Sequence, residues 1–449
     1  MATVPFSPVR FCILNFAVYL SGLFLFGFSA ASILSVCMGV TVMACTARRL
    51  GIWNAMALAI TYLMLFDADT FSYTSLKLRS WYLLLLPLLF HYLRKFHFFS
   101  RLPRNGNTVV SLLFAVMILF WLVADPMNGK LSAVKYVLFS IGTAFCLKES
   151  FLEIADKIGI DKQIDFFVGM ALFVGMWGIF QFAMNLTGMG PKFQDDYYNF
   201  RPSAFFSETT WYAEYLVFGM IYSSYAYCLR HRRFYLFVSL LLLFGTVLSV
   251  TRNAFLALAV WAFTAGVLGV VRGRIKLVHP IVFVGIALAV SVFVVYGEYA
   301  NDLFVSIQGK FTLQDDSAKG RIEAFHASIG RIADSPLIGN GFGFDSEADR
   351  TSVGGTSIGA KHANLFLMIG YVFGLPGLFA LLYLIFNTIV VQTNRWRVYH
   401  RTESKYAVLL LCVFISMSMF APLFQFPFGM FVLATVILFS RCSPSGIQV

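Results

Sequence analysis

Long apolar runs separated by short polar segments extend along the whole chain. A helix rises about 1.5 Å per residue, so a hydrocarbon core of about 30 Å needs roughly 20 apolar residues. The runs are continuous, whereas strands of a membrane barrel alternate apolar and polar residues. The pattern therefore predicts about 14 membrane-spanning helices, near residues 11–29, 31–46, 51–66, 79–93, 108–124, 131–147, 165–187, 209–229, 234–250, 253–271, 278–297, 362–388, 406–420 and 422–440.

Some of these runs are short for a full crossing, which leaves about 12 or 13 spans as alternatives. The predicted fold class is all-α, a single polytopic membrane domain over residues 1–449. Its two main exterior connections are 188–208 and the long loop 298–361.

Composition and charge support this reading and set the orientation. The chain is 59% hydrophobic and 12% charged, against about 25% charged residues in a soluble domain, so a soluble enzyme is excluded. The net charge of +12 comes from short basic clusters between spans, not from a soluble basic module, so no nucleic-acid partner is expected. The positive-inside bias predicts both termini in the cytoplasm, with the basic clusters at 48–49, 94–104, 230–233, 272–276 and 395–405 on that side.

Neither exterior connection contains a cysteine, so no disulfide or cysteine zinc site is expected there. The exterior carboxylates form no metal-ligand set, and no metal or cofactor is predicted. The N-terminus lacks a small-residue cleavage site, so the first span is expected to be retained.

Ionisable residues are scarce inside the spans, which disfavours an ion-coupled carrier. Glu214 lies one turn into its span. Gln181 and Asn185, four residues apart, are predicted to form an interhelical hydrogen bond.

Polar residues gather instead at the exterior ends of spans. The segment from Arg201 to Glu208 leads into a span, where Glu208 suits the positive N-terminal end of the helix. The second segment, 249–253, is a very short connection that contains Arg252. This arginine either extends to lipid phosphate or offers its planar guanidinium to a ligand phosphate.

The third and fourth segments lie around the end of the long loop. Residues 319–343 predict an amphipathic helix that ends at Ser335-Pro336, with Arg321 and Arg331 able to bind an anion or neighbouring acids. The fourth begins at His362, which is either a general base or a polar anchor. The apolar positions of the amphipathic helix are Ile322, Phe325, Ile329 and Ile332.

Together the four segments resemble the O-antigen ligase and polymerase superfamily of bacterial membrane glycosyltransferases, over roughly residues 200–377. The motifs that carry the resemblance are Arg201 to Glu208, Thr251-Arg252, the Arg321 helix with Ser335-Pro-Leu-Ile-Gly-Asn-Gly-Phe-Gly343, and His362-Ala-Asn364 with Gly374-Leu-Pro-Gly377. One departure is Ala363, since many relatives place Asn directly after His.

The resemblance implies that Arg201, Arg252 and Arg321 bind the diphosphate of an undecaprenyl-diphosphate-linked donor. It implies that His362 activates the acceptor hydroxyl in an inverting, metal-independent reaction, with Glu208 as a second catalytic candidate. Further site candidates are Arg331, Lys319, His326 and Asn364.

The function predicted from this resemblance is a polysaccharide (O-antigen or exopolysaccharide) polymerase that joins lipid-linked repeat units on the periplasmic face of the inner membrane. The alternative is an O-antigen ligase that transfers the glycan to lipid A core. A lipid-linked glycan flippase is a further alternative from a different class. The expected partners are the lipid-linked donor, a glycan acceptor and the bilayer, together with a flippase and a chain-length regulator.

Overall fold

The computed structural model describes residues 71–73, 76–78, 142–186, 202–204, 206, 209–271, 325–326, 328–341, 350–353, 356–359, 364–419, 423 and 427–441. In these ranges two short hairpins accompany eight helices of 15 to 35 residues. In chain order they are β1 Phe71–Tyr73, β2 Leu76–Leu78, α1 Gly142–Ile158, α2 Ile160–Leu186, α3 Thr209–Arg230, α4 Arg233–Leu248, α5 Arg252–Val271, β3 Arg350–Val353, β4 Thr356–Gly359, α6 Leu365–Tyr399, α7 Thr402–Ser418 and α8 Pro427–Arg441.

The predicted all-α class is confirmed for the helical bundle, since α2 to α8 each fall on a predicted span. Among the described residues, three helices are long and apolar enough to cross a membrane: Ile160–Met184, Arg252–Gly269 and Leu365–Tyr399. Two apolar helices, Arg233–Leu248 and Phe428–Ser440, are shorter. The total of 14 spans stays a prediction, because the expected spans at 11–29, 31–46, 51–66, 79–93, 108–124 and 278–297 lie outside the described residues.

The two hairpins were not predicted. Strand β1 pairs antiparallel with β2, and β3 pairs antiparallel with β4, with Arg350 opposite Gly359. The second hairpin is rich in Thr, Ser, Val and Ile, residues that include strong strand formers. Its two strands are separated in sequence by two glycines, a composition typical of tight hairpin turns.

Helix α1 corrects the predicted span at 131–147. The helix continues through charged sequence to Ile158, and only Gly159, with a φ of 87°, separates it from α2. The reason is tertiary packing, since Phe151 and Ile154 are fully buried. The Phe151 ring lies 5.0 Å from the ring of Phe431 in α8. Burial of this apolar face stabilises a helix that hydropathy alone ends too early.

Glycines allow α2, α3 and α4 to pack closely. A Cβ at Gly175 of α2 would lie 2.8 Å from the Leu242 side chain of α4, and one at Gly245 would lie 2.9 Å from Leu216 of α3. In helices surrounded by lipid, small residues at the contact let backbones approach and gain dispersion energy. The three helices are therefore closely packed against one another.

A partly buried ion pair holds the end of this bundle that the sequence predicts to face the cytoplasm. Arg230 at the end of α3 donates to both carboxylate oxygens of Asp165 in α2, at 2.6 and 2.8 Å. The hydroxyl of Tyr235 in α4 donates to the same carboxylate at 2.8 Å. The Asp165 carboxylate thus joins α2, α3 and α4. Arg230 contributes to this contact in addition to the cytoplasmic orientation that its charge predicts for this end.

Candidate functional site

The connection between α4 and α5 is as short as the sequence predicts, with only residues 249–251 between the helices. The Ser249 hydroxyl donates to the Thr246 carbonyl at 2.5 Å, and the Thr251 hydroxyl donates to the Ser249 carbonyl at 3.2 Å. Val250 adopts a positive φ of 49°. This tight turn makes Arg252 the first residue of α5, half-buried at the end of the bundle.

A buried polar pair lies directly beside Arg252. The Asn253 amide donates to the Glu214 carboxylate of α3, and both side chains are buried, at 4% and 0% exposure. A polar group in an apolar interior needs a partner, so this contact fixes the start of α5 against α3. The sequence showed Glu214 as a charge inside an apolar helix, but it did not identify Asn253 as its partner.

The segment that follows Arg201 is anchored to the same end of the bundle. The Gln181 carbonyl oxygen of α2 accepts from the backbone amides of Ser203 at 3.1 Å and Ala204 at 2.9 Å. The Phe206 ring then lies 5.4 Å from the Tyr215 ring, next to Glu214. The Gln181 oxygen therefore holds the backbone of a connecting segment. The interhelical hydrogen bond predicted for Gln181 and Asn185 stays a prediction, because the side chain of Asn185 lies outside the described residues.

Helix α6 is broken inside its apolar run. Gly374 has a φ of 66° and a ψ of −169°, and Pro376 follows inside the helix. A proline has no N–H to donate and its ring displaces the preceding turn, so carbonyls before it lose their helical partners. The freed groups are paired by the segment 335–341, which is called the 335–341 turn below.

The bonds across this contact run in both directions. The backbone amides of Asn340 and Gly341 donate to the carbonyls of Tyr371 at 2.7 Å and Val372 at 3.3 Å. The Leu375 amide donates back to the Pro336 carbonyl at 2.7 Å. Ser335–Gly343 and Gly374–Gly377 are two separate motifs in the sequence. In the structure they form one unit, since their backbones are hydrogen-bonded to each other.

Two glycines are required for this contact. Gly339 has a φ of 80°, and a Cβ there would overlap the Val372 carbonyl. A Cβ at Gly374 would lie 2.6 Å from the Pro336 oxygen. Side chains would strain the backbone at both positions and push the two segments apart. Gly339 and Gly374 therefore allow the 335–341 turn to pack against α6.

The predicted amphipathic helix in the long loop is confirmed over its described residues, 325–326 and 328–334, and is called the loop helix. It ends at Ser335-Pro336 as predicted. The Asn340 side chain donates to the Arg331 carbonyl at 3.0 Å and so caps the end of the helix. Ile332 packs over Gly370 of α6, where an added Cβ would lie 3.1 Å from its side chain.

Asn364 acts as the N-cap of α6. Its side-chain oxygen accepts from the backbone amides of Phe366 at 2.8 Å and Leu367 at 3.3 Å. A capping side chain satisfies amides that have no partner in the first helical turn. Asn364 thus has a structural role, which is to cap the first turn of α6.

Replacing Asn364 with alanine should lower the free energy of unfolding by about 1 kcal/mol, because two amides lose their acceptor. Asn364→Ser keeps a capping oxygen and should retain most of the stability. Thermal unfolding of the purified protein measures both. If the serine variant is stable but inactive, Asn364 has a role in the reaction beyond capping.

The nine predicted site residues divide into two groups. Arg252 and Arg331 are half-buried, His326 is exposed on the loop helix, and Asn364 caps α6. Among the described residues no group of His, Cys, Asp or Glu could hold a metal ion. The other five predicted residues lie outside the described part of the chain: Arg201, Glu208, Lys319, Arg321 and His362.

The helices and their apolar lengths define a membrane protein of the polytopic α-helical class. Residues 237–382, roughly a third of the chain, match the family described as O-antigen ligase. This match supports the O-antigen ligase and polymerase superfamily and confirms the resemblance found in the sequence motifs. No curated protein and no solved structure gave a significant match.

The matched region contains the turn before Arg252, the 335–341 turn, Asn364 and the break in α6. Arg201 and Glu208 precede it. Members of this family are glycosyltransferase-like enzymes that act in lipopolysaccharide biosynthesis.

Proposed function

We propose that the protein is a polysaccharide polymerase that joins undecaprenyl-diphosphate-linked repeat units at the periplasmic face of the bacterial inner membrane. The observation that carries the proposal is Arg252, held as the first residue of α5 by the buried Asn253–Glu214 contact. It lies inside the region that matches the O-antigen ligase family. A guanidinium fixed at the end of a bundle suits the recognition of a diphosphate.

Three contacts support a shared site for the predicted motifs. Gln181 anchors the residues that directly follow Arg201, and the Phe206 ring contacts Tyr215 beside Glu214. The reciprocal bonds of the 335–341 turn join the loop helix to α6 at Tyr371 and Val372, about two helical turns after Asn364. His362 precedes that cap by two residues in sequence.

In the proposed reaction Arg201, Arg252 and Arg321 bind the donor diphosphate and stabilise the charge that grows on it as it leaves. His362 takes the proton of the acceptor hydroxyl. The hydroxyl oxygen forms a bond to the anomeric carbon while the bond to the diphosphate breaks, so the configuration is inverted. The donor is already activated, and arginines offset the departing charge, so the proposal requires no metal. Glu208 is proposed as a second catalytic group.

A second candidate is an O-antigen ligase, which the description of the matched family favours directly. The two enzymes share the donor and the proposed diphosphate site and differ in the acceptor, which is lipid A core for the ligase. In either case a flippase that supplies the donor is a proposed partner, and the polymerase would also work with a chain-length regulator.

We expect Arg252→Ala to lower kcat/KM by about 10- to 100-fold, since a hydrogen bond to a charged group contributes about 1.5–3 kcal/mol. Arg252→Lys keeps the charge but loses the two-pronged geometry, so intermediate activity is expected. The assay uses purified protein in lipid vesicles with synthetic lipid-linked repeat units and resolves product length by electrophoresis.

The matched control is Arg233→Ala, which removes an exposed arginine from the first residue of α4 at the opposite end of that helix. Equal losses from Arg233→Ala and Arg252→Ala would contradict a site at Arg252. Long products from repeat units alone support the polymerase. Transfer only when lipid A core is added would establish the ligase instead.

A further inference from the structure

The depth of the 335–341 turn in the membrane follows from the length of the apolar run of α6. This run ends at Val391, after which Gln392 donates to Ser440 of α8 at 2.6 Å in a polar end region. A hydrocarbon core of about 30 Å corresponds to roughly 20 helical residues. Counted back from Val391, the core extends to Val372, whose carbonyl binds the 335–341 turn. The turn therefore meets α6 at the outer edge of the hydrocarbon.

The backbone of the turn is suited to that depth. Irregular backbone is tolerated near lipid only where its polar groups are paired within the protein. The amides of Gly339, Asn340 and Gly341 all donate to backbone carbonyls, and the Pro336 carbonyl accepts from Leu375. The turn therefore meets the requirement that lipid places on irregular backbone.

The loop helix presents three different surfaces around its circumference. Successive residues are rotated by about 100°, so Ser328 and Ile332 share one strip, which faces the protein with Ser328 buried. Phe325 and Ile329 form the next strip and are exposed at 43% and 45%. Beyond them lie the exposed polar side chains of His326 and Asp334. Protein, apolar and polar strips in this order are typical of a helix lying in a membrane interface beside a bundle.

The tip of the turn continues the exposed apolar strip. Leu337 and Ile338 are 73% and 53% exposed, although they belong to a turn whose backbone is bonded to α6. Leu375, bonded to Pro336, is itself 37% exposed on α6. The apolar surface of the turn is thus continuous with the outward surface of a helix long and apolar enough to cross a membrane.

We propose that the loop helix and the 335–341 turn lie in the outer interface of the bilayer, with their exposed apolar side chains in contact with lipid hydrocarbon. The side chains that contact lipid are Phe325, Ile329, Leu337 and Ile338. This goes beyond the proposed reaction, because it fixes the loop helix against the membrane whichever acceptor the enzyme uses. His326 then lies on the water-facing side, and Arg331 lies between the water and the protein.

Site-directed spin labelling tests the proposal in vesicles of phosphatidylethanolamine and phosphatidylglycerol. Single cysteines replace Ile329 and Leu337 in a full-length background without native cysteines, and each carries a nitroxide. Both labels should collide with oxygen, which concentrates in lipid, and not with a water-soluble nickel chelate. Phe379→Cys, 64% exposed on α6, is the lipid control, and Asp334→Cys is the water control.

Nickel access at positions 329 and 337 as high as at 334 would overturn the proposal and place the loop helix in water. Low access of both reagents would also overturn it, since another protein segment or a second copy would then cover the surface. The wild-type chain gives an independent measurement in vesicles containing an acyl-chain diazirine phospholipid. Photolabelled peptides should include 325–338, and labelling confined to the long helices would contradict lipid contact. Neither readout depends on enzymatic activity.

Discussion

Gly374→Ala is expected to lower the stability of the contact between α6 and the 335–341 turn by about 2–6 kcal/mol. The backbone at Gly374, with φ 66° and ψ −169°, lies in a region that costs other residues about 1–3 kcal/mol. The added Cβ would lie 2.6 Å from the Pro336 carbonyl oxygen, and such overpacking costs about 1–3 kcal/mol more. The strain is local, so the turn should separate from α6 while the rest of the bundle stays folded.

Limited proteolysis and hydrogen exchange of residues 325–341 should show this separation, and polymer synthesis should fall with it. The loss of activity follows because the loop helix carries the site candidate Arg331 and is preceded in sequence by Arg321 of the proposed site. The described contacts that hold this helix to α6 include this unit and the packing of Ile332.

Gly330→Ala is the matched control. Gly330 is helical and exposed, and a Cβ there would meet nothing within 4 Å. An alanine at an exposed helical position is favoured over glycine by about 0.5–1 kcal/mol, so this variant should be as stable as the wild type or slightly more so. If Gly374→Ala leaves exchange and activity at wild-type levels, the docking role of the α6 break is wrong.

The second large effect is expected at Glu214. Glu214→Ala removes a fully buried side chain, which leaves a cavity and a buried Asn253 amide without its acceptor. An unsatisfied buried group costs about 1–3 kcal/mol, and a core truncation to alanine adds about 2 kcal/mol or more. The free energy of unfolding should therefore fall by about 3–5 kcal/mol, as measured by thermal or denaturant unfolding in detergent.

Glu214→Gln separates the hydrogen bond from the charge. Glutamine keeps the acceptor oxygen and nearly the same volume, so this variant should stay close to the wild type in stability. Asn253→Asp should be destabilising because it brings two carboxyl groups together. The double variant Glu214→Gln/Asn253→Asp restores a donor and an acceptor and should recover stability. Additive losses in the double variant would argue against a direct contact between the two side chains.

These variants also report on Arg252. Since Asn253 holds the first turn of α5, Asn253→Asp should raise KM for the lipid-linked donor more than it lowers kcat. A loss of stability with an unchanged KM would mean that the Glu214–Asn253 contact serves the fold alone.

The sequence alone determined the features that depend on local patterns. The apolar runs predicted α2 to α8, the 3.6-residue period predicted the loop helix, and Ser335-Pro336 predicted its end. The motifs identified the superfamily, which the match at 237–382 confirms. These inferences succeed because hydrophobic length, helical period and proline chemistry act within a few residues along the chain.

Tertiary structure alone decided which of these segments meet and what the polar residues do there. Gln181 holds a connecting segment, Glu214 pairs with Asn253, and the glycines at 339 and 374 dock a turn onto a broken helix. A sequence shows that such a residue is polar or lacks a side chain, but its partner lies tens of residues away. The choice of partner follows from how the helices pack and from the cost of leaving a buried polar group without a hydrogen bond.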